Sequence, residues 1–170
     1  LLSVAYARFL SQETYGTFKY ILSLIGILSI FSLQGMQTAV IRAVAKGDEF
    51  SLIDGWKAKI RWTSLASIGT LAVSGYYFFQ EDEKLFLAFL IAGLALPLFN
   101  TTSMYGAYLQ GKKQFDRLAK YTIAGHALST TAIIGTIFVS ERLISLLLAY
   151  YISHTAVNTY FFLKMKKEIS

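Results

Sequence analysis

The chain has 170 residues, 55% of them hydrophobic and only 15% charged, with a net charge of +6. A soluble domain carries about 25% charged residues, so the composition argues against one, and the absence of cysteine excludes a disulfide scaffold and thiolate metal sites. The positive balance would suit a nucleic acid partner, but the basic residues are spread over three separate segments, which argues against that partner as well.

In chain order, "LLSVAYARFL" comes first, inside an apolar run and without an initiator methionine. A signal peptide needs a basic start and a cleavage site, so this stretch reads as the end of a first transmembrane helix, residues 1–10, in a piece of a longer protein. Five runs without any charged residue follow, at 20–41, 62–80, 85–111, 121–140 and 143–163, each of 19 residues or more. A helix rises about 1.5 Å per residue, so about 20 residues cross a hydrocarbon core of about 30 Å. A soluble helix of that length would show charges on its outer face. Membrane strands are about half as long and alternate apolar with polar, which these runs do not.

The expected fold class is therefore an all-α membrane protein. It is a polytopic bundle in one domain over 1–170, with complete helices at about 18–41, 62–80, 85–108, 121–140 and 143–163.

The connections set an orientation. Lys and Arg number five in 42–61, four in 112–120 and three in 164–167, against two, one and one in the intervening connections (Arg8 and Lys19, Lys84, Arg142). By the positive-inside rule, 42–61, 112–120 and the C-terminal end face the cytoplasm, and "QEDE" at 80–83 faces out. "QGKKQFDRLAKY" at 110–121 then reads as a cytoplasmic loop against anionic head groups.

Within the runs, small and polar residues stand out. Ala127, Thr131 and Gly135 recur every four residues and suggest a stripe for close helix contact, with Gly26, Gly35, Gly69 and Gly75 thinning other helices. Pro97 should kink its helix, with Asn100, Thr101 and Thr102 placed to repair the freed carbonyl groups. Gln34, Gln37, His126, His154 and Asn158 fall at membrane depth and should turn to the bundle interior, bonding one another or lining a watery path. No metalloprotease, phosphate-loop or nucleophile-elbow motif is present, so the reading is not an enzyme, with no catalytic residue, metal or cofactor expected.

The segment "ARFLSQETYGTFKYILSLIGILSIFSLQGMQTAVIRAVAKG" (7–47) resembles the first-to-second helix region of bacterial polysaccharide biosynthesis membrane proteins of the O-antigen flippase type. The matching features are the Tyr15–Gly16 turn, then Gly35 with Arg42 and small residues after it; "GKKQFDRLAKYTIAG" resembles that family's loop into the fifth helix. These proteins belong to the multidrug/oligosaccharidyl-lipid/polysaccharide exporter superfamily. The resemblance implies the N-terminal lobe of a two-lobe transporter in the cytoplasmic membrane of a bacterium or archaeon.

Its implied substrate is a polyprenyl-pyrophosphate-linked oligosaccharide. Its implied partners are membrane lipids and a polysaccharide polymerase or other assembly proteins. Candidate substrate-binding residues are Gln37, Arg42, Asn100, His126, His154 and Asn158. Two alternatives stand beside this reading: a cation-coupled multidrug exporter of the same superfamily, and a membrane assembly protein that transports nothing.

Overall fold

Ser11 starts the first helix: its hydroxyl accepts a hydrogen bond from the Thr14 backbone N–H at 3.2 Å, and Glu13 adds a negative charge to the first turn. The structure, a computed structural model, describes residues 11–33, 35–140 and 142–169. Within them all regular structure is helical. The order is α1 (Gln12–Leu28), a 3-10 turn (Ser29–Phe31), α2 (Met36–Ala45), α3 (Ser51–Phe79) and α4 (Glu83–Thr101), then a second 3-10 turn (Thr102–Met104), α5 (Tyr105–Gly111), α6 (Phe115–Val139) and α7 (Leu143–Ile169). The partial helix expected over 1–10, with Arg8, and the polar Gln34 lie outside the described residues.

The helix expected at about 18–41 is two helices. Ser29 donates to the Ile25 carbonyl and Ser32 to that of Ser29, and these local bonds tighten the chain into a 3-10 turn before Gly35 precedes α2. An uncharged run measures compatibility with lipid, not continuity of the backbone. The α2 helix stops at Gly47, whose φ of +98° suits glycine, with Gly47 N–H bonded to Val44 and Asp48 N–H to Ala43.

The basic connections are shorter than the sequence suggests. Arg42 lies in the last turn of α2, Lys57, Lys59 and Arg61 belong to α3, and Arg117 and Lys120 belong to α6. Among the described residues, two segments are long and apolar enough to cross a membrane as single helices. They are Glu83–Gly111, where α4 runs through the 3-10 turn into α5, and Phe115–Val139. That narrows the five complete spans expected from the uncharged runs. The other helices are diluted by hydroxyls and basic residues in α3 and α7, or are short, with 17 residues in α1 and 10 in α2.

α3 and α4 form a hairpin around Gln80–Asp82, where Asp82 accepts from the Leu85 N–H at 3.0 Å. Pro97 has no N–H, so the Gly93 carbonyl loses its intrahelical partner. The repair comes from the neighbouring helix: Ser67 on α3 donates to the Gly93 carbonyl, and Ser74 donates to Phe86. Thr101 and Thr102, expected to make that repair, bond instead to the carbonyls of Pro97 and Leu98, where the helix tightens.

The small-residue stripe is also corrected. Ala127, Thr131 and Gly135 are exposed among the described residues, and Thr131 bonds its own backbone at Ala127. The tight glycines are others. A Cβ on Gly93 would come 2.8 Å from Leu71, and one on Gly111 would come 2.6 Å from the Val44 Cβ. Gly26, Gly35 and Gly75 have open space around them.

Two apolar clusters hold the bundle. The first joins Phe18, Ile21 and Ile25 of α1 to Phe89 and Leu96 of α4, Ile133 and Ile137 of α6, and Leu146 and Tyr151 of α7. The second joins Val40 and Val44 of α2 to Leu52, Met104, Leu109, Phe161 and Met165. The first lies toward the turn at 80–82 and the C-terminal end of α6, the second toward the turns at 46–50 and 112–114.

Candidate functional site

A polar layer separates the two clusters. Along α7 the first cluster ends at Tyr151 and the second resumes at Phe161, with His154 and Asn158 between them. Along α4 the interval from Leu96 to Met104 holds Asn100, Thr101 and Thr102. Here a cleft of about 250 Å³ opens between α6 and α7, lined on its polar side by Ser103, Thr122, His126, Ser129, His154 and Asn158.

Helical spacing builds this lining. Thr122, His126 and Ser129 lie four and three residues apart and share one face of α6; His154 and Asn158 share one face of α7. Gly125 sets the separation of the two helices, since a Cβ there would stand 3.3 Å from Val157 Cγ1. The His126 and His154 rings meet edge to face with centroids 6.1 Å apart. Phe99 and Tyr150 hold the other side of His154, at 5.9 and 5.1 Å between centroids. Ser129 is buried and its Oγ has no hydrogen-bond partner among the described residues.

The lining offers imidazole, amide and hydroxyl groups and no formal charge. It can both donate to and accept from a hydroxyl-rich ligand. Among the described residues no group of three His, Asp or Glu side chains is placed to hold a metal ion.

Of the six candidate residues from the sequence, the structure brings together His126, His154 and Asn158. Asn100 follows Phe99 on α4 with its Nδ2 buried and unpartnered, but it does not line the cleft. Gln37 and Arg42 sit apart on α2, Gln37 half-buried in the first turn and Arg42 exposed in the last. Sequence reading missed Thr122 and Ser129. Their spacing to His126 is the signal that finds them, once the outward face of α6 is known. It also missed Lys59, read as a loop cation, which is buried on α3.

Ion pairs close the 112–114 end. Glu49 accepts from Lys112 and, at 2.8 Å, from the Tyr108 hydroxyl, tying the 46–50 connection to α5. Arg117 grips Glu168 with two bonds of 2.6 and 3.1 Å, tying α6 to the end of α7. Most of "QGKKQFDRLAKY" is thus helix, and two of its charges, Lys112 and Arg117, bridge between elements.

The hydrogen bond from Lys112, then that from Tyr108, holds the Glu49 carboxyl below its ordinary value of 4.5. Arg117 does the same for Glu168. A depressed carboxylate pKa contributes stability above its unfolded value, and the contribution is lost as pH falls through the folded one. Protection of the 46–50 amides, measured against the intrinsic exchange rate at each pH, should therefore be equal at pH 7 and pH 5.5 and should fall below about pH 4. Protection already lost at pH 5.5 would show that Glu49 does not hold this connection.

A family model described as polysaccharide biosynthesis protein matches residues 1–168. No curated protein and no solved structure gives a match.

Proposed function

Because the chain belongs to the polysaccharide biosynthesis protein family, a family of membrane transporters, we propose that it is the N-terminal lobe of a flippase for polyprenyl-pyrophosphate-linked oligosaccharides. The observation that supports this most is the uncharged polar cleft between two apolar clusters. A glycan cannot cross hydrocarbon with its hydroxyls unpaired, and a layer of imidazole, amide and hydroxyl groups gives them partners. The alternative of a cation-coupled exporter wants a carboxylate inside the bundle. The described acids stand instead at its ends, in the turns or the first and last helical turns.

The basic ends at 46–50, 112–114 and 164–167 face the cytoplasm in this proposal. Reporter fusions at Gln114 and at the C-terminal end should read cytoplasmic, and one at Asp82 external; a cytoplasmic signal at Asp82 would overturn the orientation.

The function itself is tested with the full-length protein in vesicles and a fluorescent lipid-linked oligosaccharide. Protein-dependent loss of the outer-leaflet signal is the expected result, and equal loss in empty vesicles would sink the reading.

Arg42 is the exposed cation closest to that end on α2. Its proposed task is to gather the pyrophosphate, for which a guanidinium offers two parallel donors. Arg42→Ala should stop polymer export with protein level and topology unchanged, and Arg42→Lys should fall between. Normal export from Arg42→Ala would leave Arg42 as a topological charge.

A further inference from the structure

Two cations share a cavity at the end of the bundle that carries the 80–82 turn. It measures about 510 Å³ and is lined by Glu13 and Thr17 of α1, Lys84 of α4, Arg142 just before α7, and Leu143 and Ile144 at the start of α7. That volume lies within the range of about 300–1,000 Å³ usual for a small-molecule pocket. The cavity is separate from the histidine cleft and has no lining residue in common with it.

Both cations stand at one membrane level. Lys84 is the last residue before the uncharged run at 85–111, and Arg142 is the last before the run at 143–163. α4 begins one residue before Lys84 and opens a segment long and apolar enough to cross a membrane. A charge there lies in the head-group layer, and Leu143 and Ile144 already belong to the hydrocarbon side. Cations are scarce at this end. Of the described ones only Lys19, Lys84 and Arg142 stand there, and Lys19 lies over the Tyr15 ring at 5.6 Å. The other two come from different helices and meet in one cavity.

The charge balance says what the cavity takes. Lys84 stands 3.8 Å from Glu13 in a pair whose side chains are 78% and 83% exposed, and such a pair contributes little. Among the described residues no carboxylate pairs with Arg142. Two cations and one acid leave one positive charge, which a single negative charge neutralises. The starts of α1, α4 and α7 turn their free N–H groups to the same end. The Arg142 guanidinium offers parallel donors to two phosphate oxygens.

We propose that this cavity holds the head group of an anionic phospholipid from the leaflet at the 80–82 end. Arg142 and Lys84 take its phosphodiester, Glu13 accepts from the hydroxyls of a glycerol head group, and the chains leave over Leu143 and Ile144. The lipid bridges α4 and α7 to α1 where the protein's own ion pair is loose. This needs a membrane but not the flippase, and a chain that moves no lipid-linked oligosaccharide would keep it.

Native mass spectrometry of the full-length protein in detergent tests the assignment, with phosphatidylglycerol, phosphatidylcholine and glycerol phosphate added in turn. The wild type should hold its first phosphatidylglycerol at least about tenfold more tightly than phosphatidylcholine. Arg142→Gln combined with Lys84→Gln should abolish that preference. Lys46→Gln, which removes an exposed cation at the other end, should keep it. Retained preference in the double variant overturns the proposal. Equal loss in Lys46→Gln does so as well, because it would show a general effect of charge.

If the double variant does not fold, Arg142→Gln alone decides, since Arg142 has no ion pair among the described residues to lose. An undiminished preference there overturns the proposal equally. Glycerol phosphate should compete at least about tenfold more weakly than the lipid, because it has no chains to lie on the apolar side. Equal competition would overturn the lipid assignment in favour of a soluble anion. Displacement of phosphatidylglycerol by an equal amount of a prenyl pyrophosphate would overturn it too, since one positive charge does not match that head group.

Discussion

Gly111→Ala is expected to destabilise the full-length protein by about 1–3 kcal/mol, the range for overpacking a tight contact. The added methyl would stand 2.6 Å from the Val44 Cβ and 2.9 Å from the Ile41 carbonyl oxygen. The first contact survives Val44→Ala, which keeps the Cβ and removes only the Cγ1 contact at 2.8 Å, so that change should recover little of the loss. The second is backbone and cannot move without tilting α2 against α5. Alanine's better helix propensity, about 1 kcal/mol, acts against the clash at the last residue of α5 but is the smaller effect. Gly75→Ala is the control: nothing lies within 4 Å of its Cβ position, so propensity alone acts and the melting temperature should hold or rise. Equal melting temperatures for Gly111→Ala and the wild type would show that α2 and α5 are not in the close contact described.

The second large effect is expected on transport. In the double variant His154→Leu, Asn158→Leu the cleft keeps its volume but loses two of its polar groups on α7. If the cleft carries the glycan, polymer export should fall at least about tenfold, since each unpaired buried hydroxyl costs about 1–3 kcal/mol. Protein level and topology should remain normal, because leucine suits a membrane helix. Asn158→Gln, which keeps the amide, should lie close to the wild type. Undiminished export from the double variant would remove the cleft from the pathway and favour a purely structural role for its polar groups.

How much of this was legible in the sequence depends on which physical property each feature expresses. Hydropathy and charge express the solvent, so the helical class and the uncharged stretches could be read directly. The half-buried positions of His154 and Asn158 follow for the same reason, since polar side chains in apolar runs turn inward, whereas His126, expected to do the same, is exposed on α6. Continuity of the backbone is a different property. The break after Leu28 comes from two serine hydroxyls and a glycine that the uncharged run passes over.

Helix-to-helix distance was also hidden. Ala127, Thr131 and Gly135 have the spacing of a contact stripe, yet they face away from the described helices. Gly55, Gly93 and Gly111 make the close approaches with no such pattern around them. Lys59 was misread because a basic residue near a run end looks like part of a connection. Only the start of α3 at Ser51 shows that it is already two turns inside a helix.

The interruption after Leu28 also has a mechanical side. Every buried residue of α1 belongs to the first apolar cluster and every buried residue of α2 to the second. The chain between them changes from α-helix to a 3-10 turn and then to Gly35, so the two helices follow different clusters. In the α3–α4 hairpin, by contrast, Ser67 and Ser74 pin the two helices to each other along 67–74 and 86–93. A rearrangement at the 112–114 end would therefore carry α2 together with α5, to which Glu49 and the close approach at Gly111 tie it, while α1 stays with the first cluster.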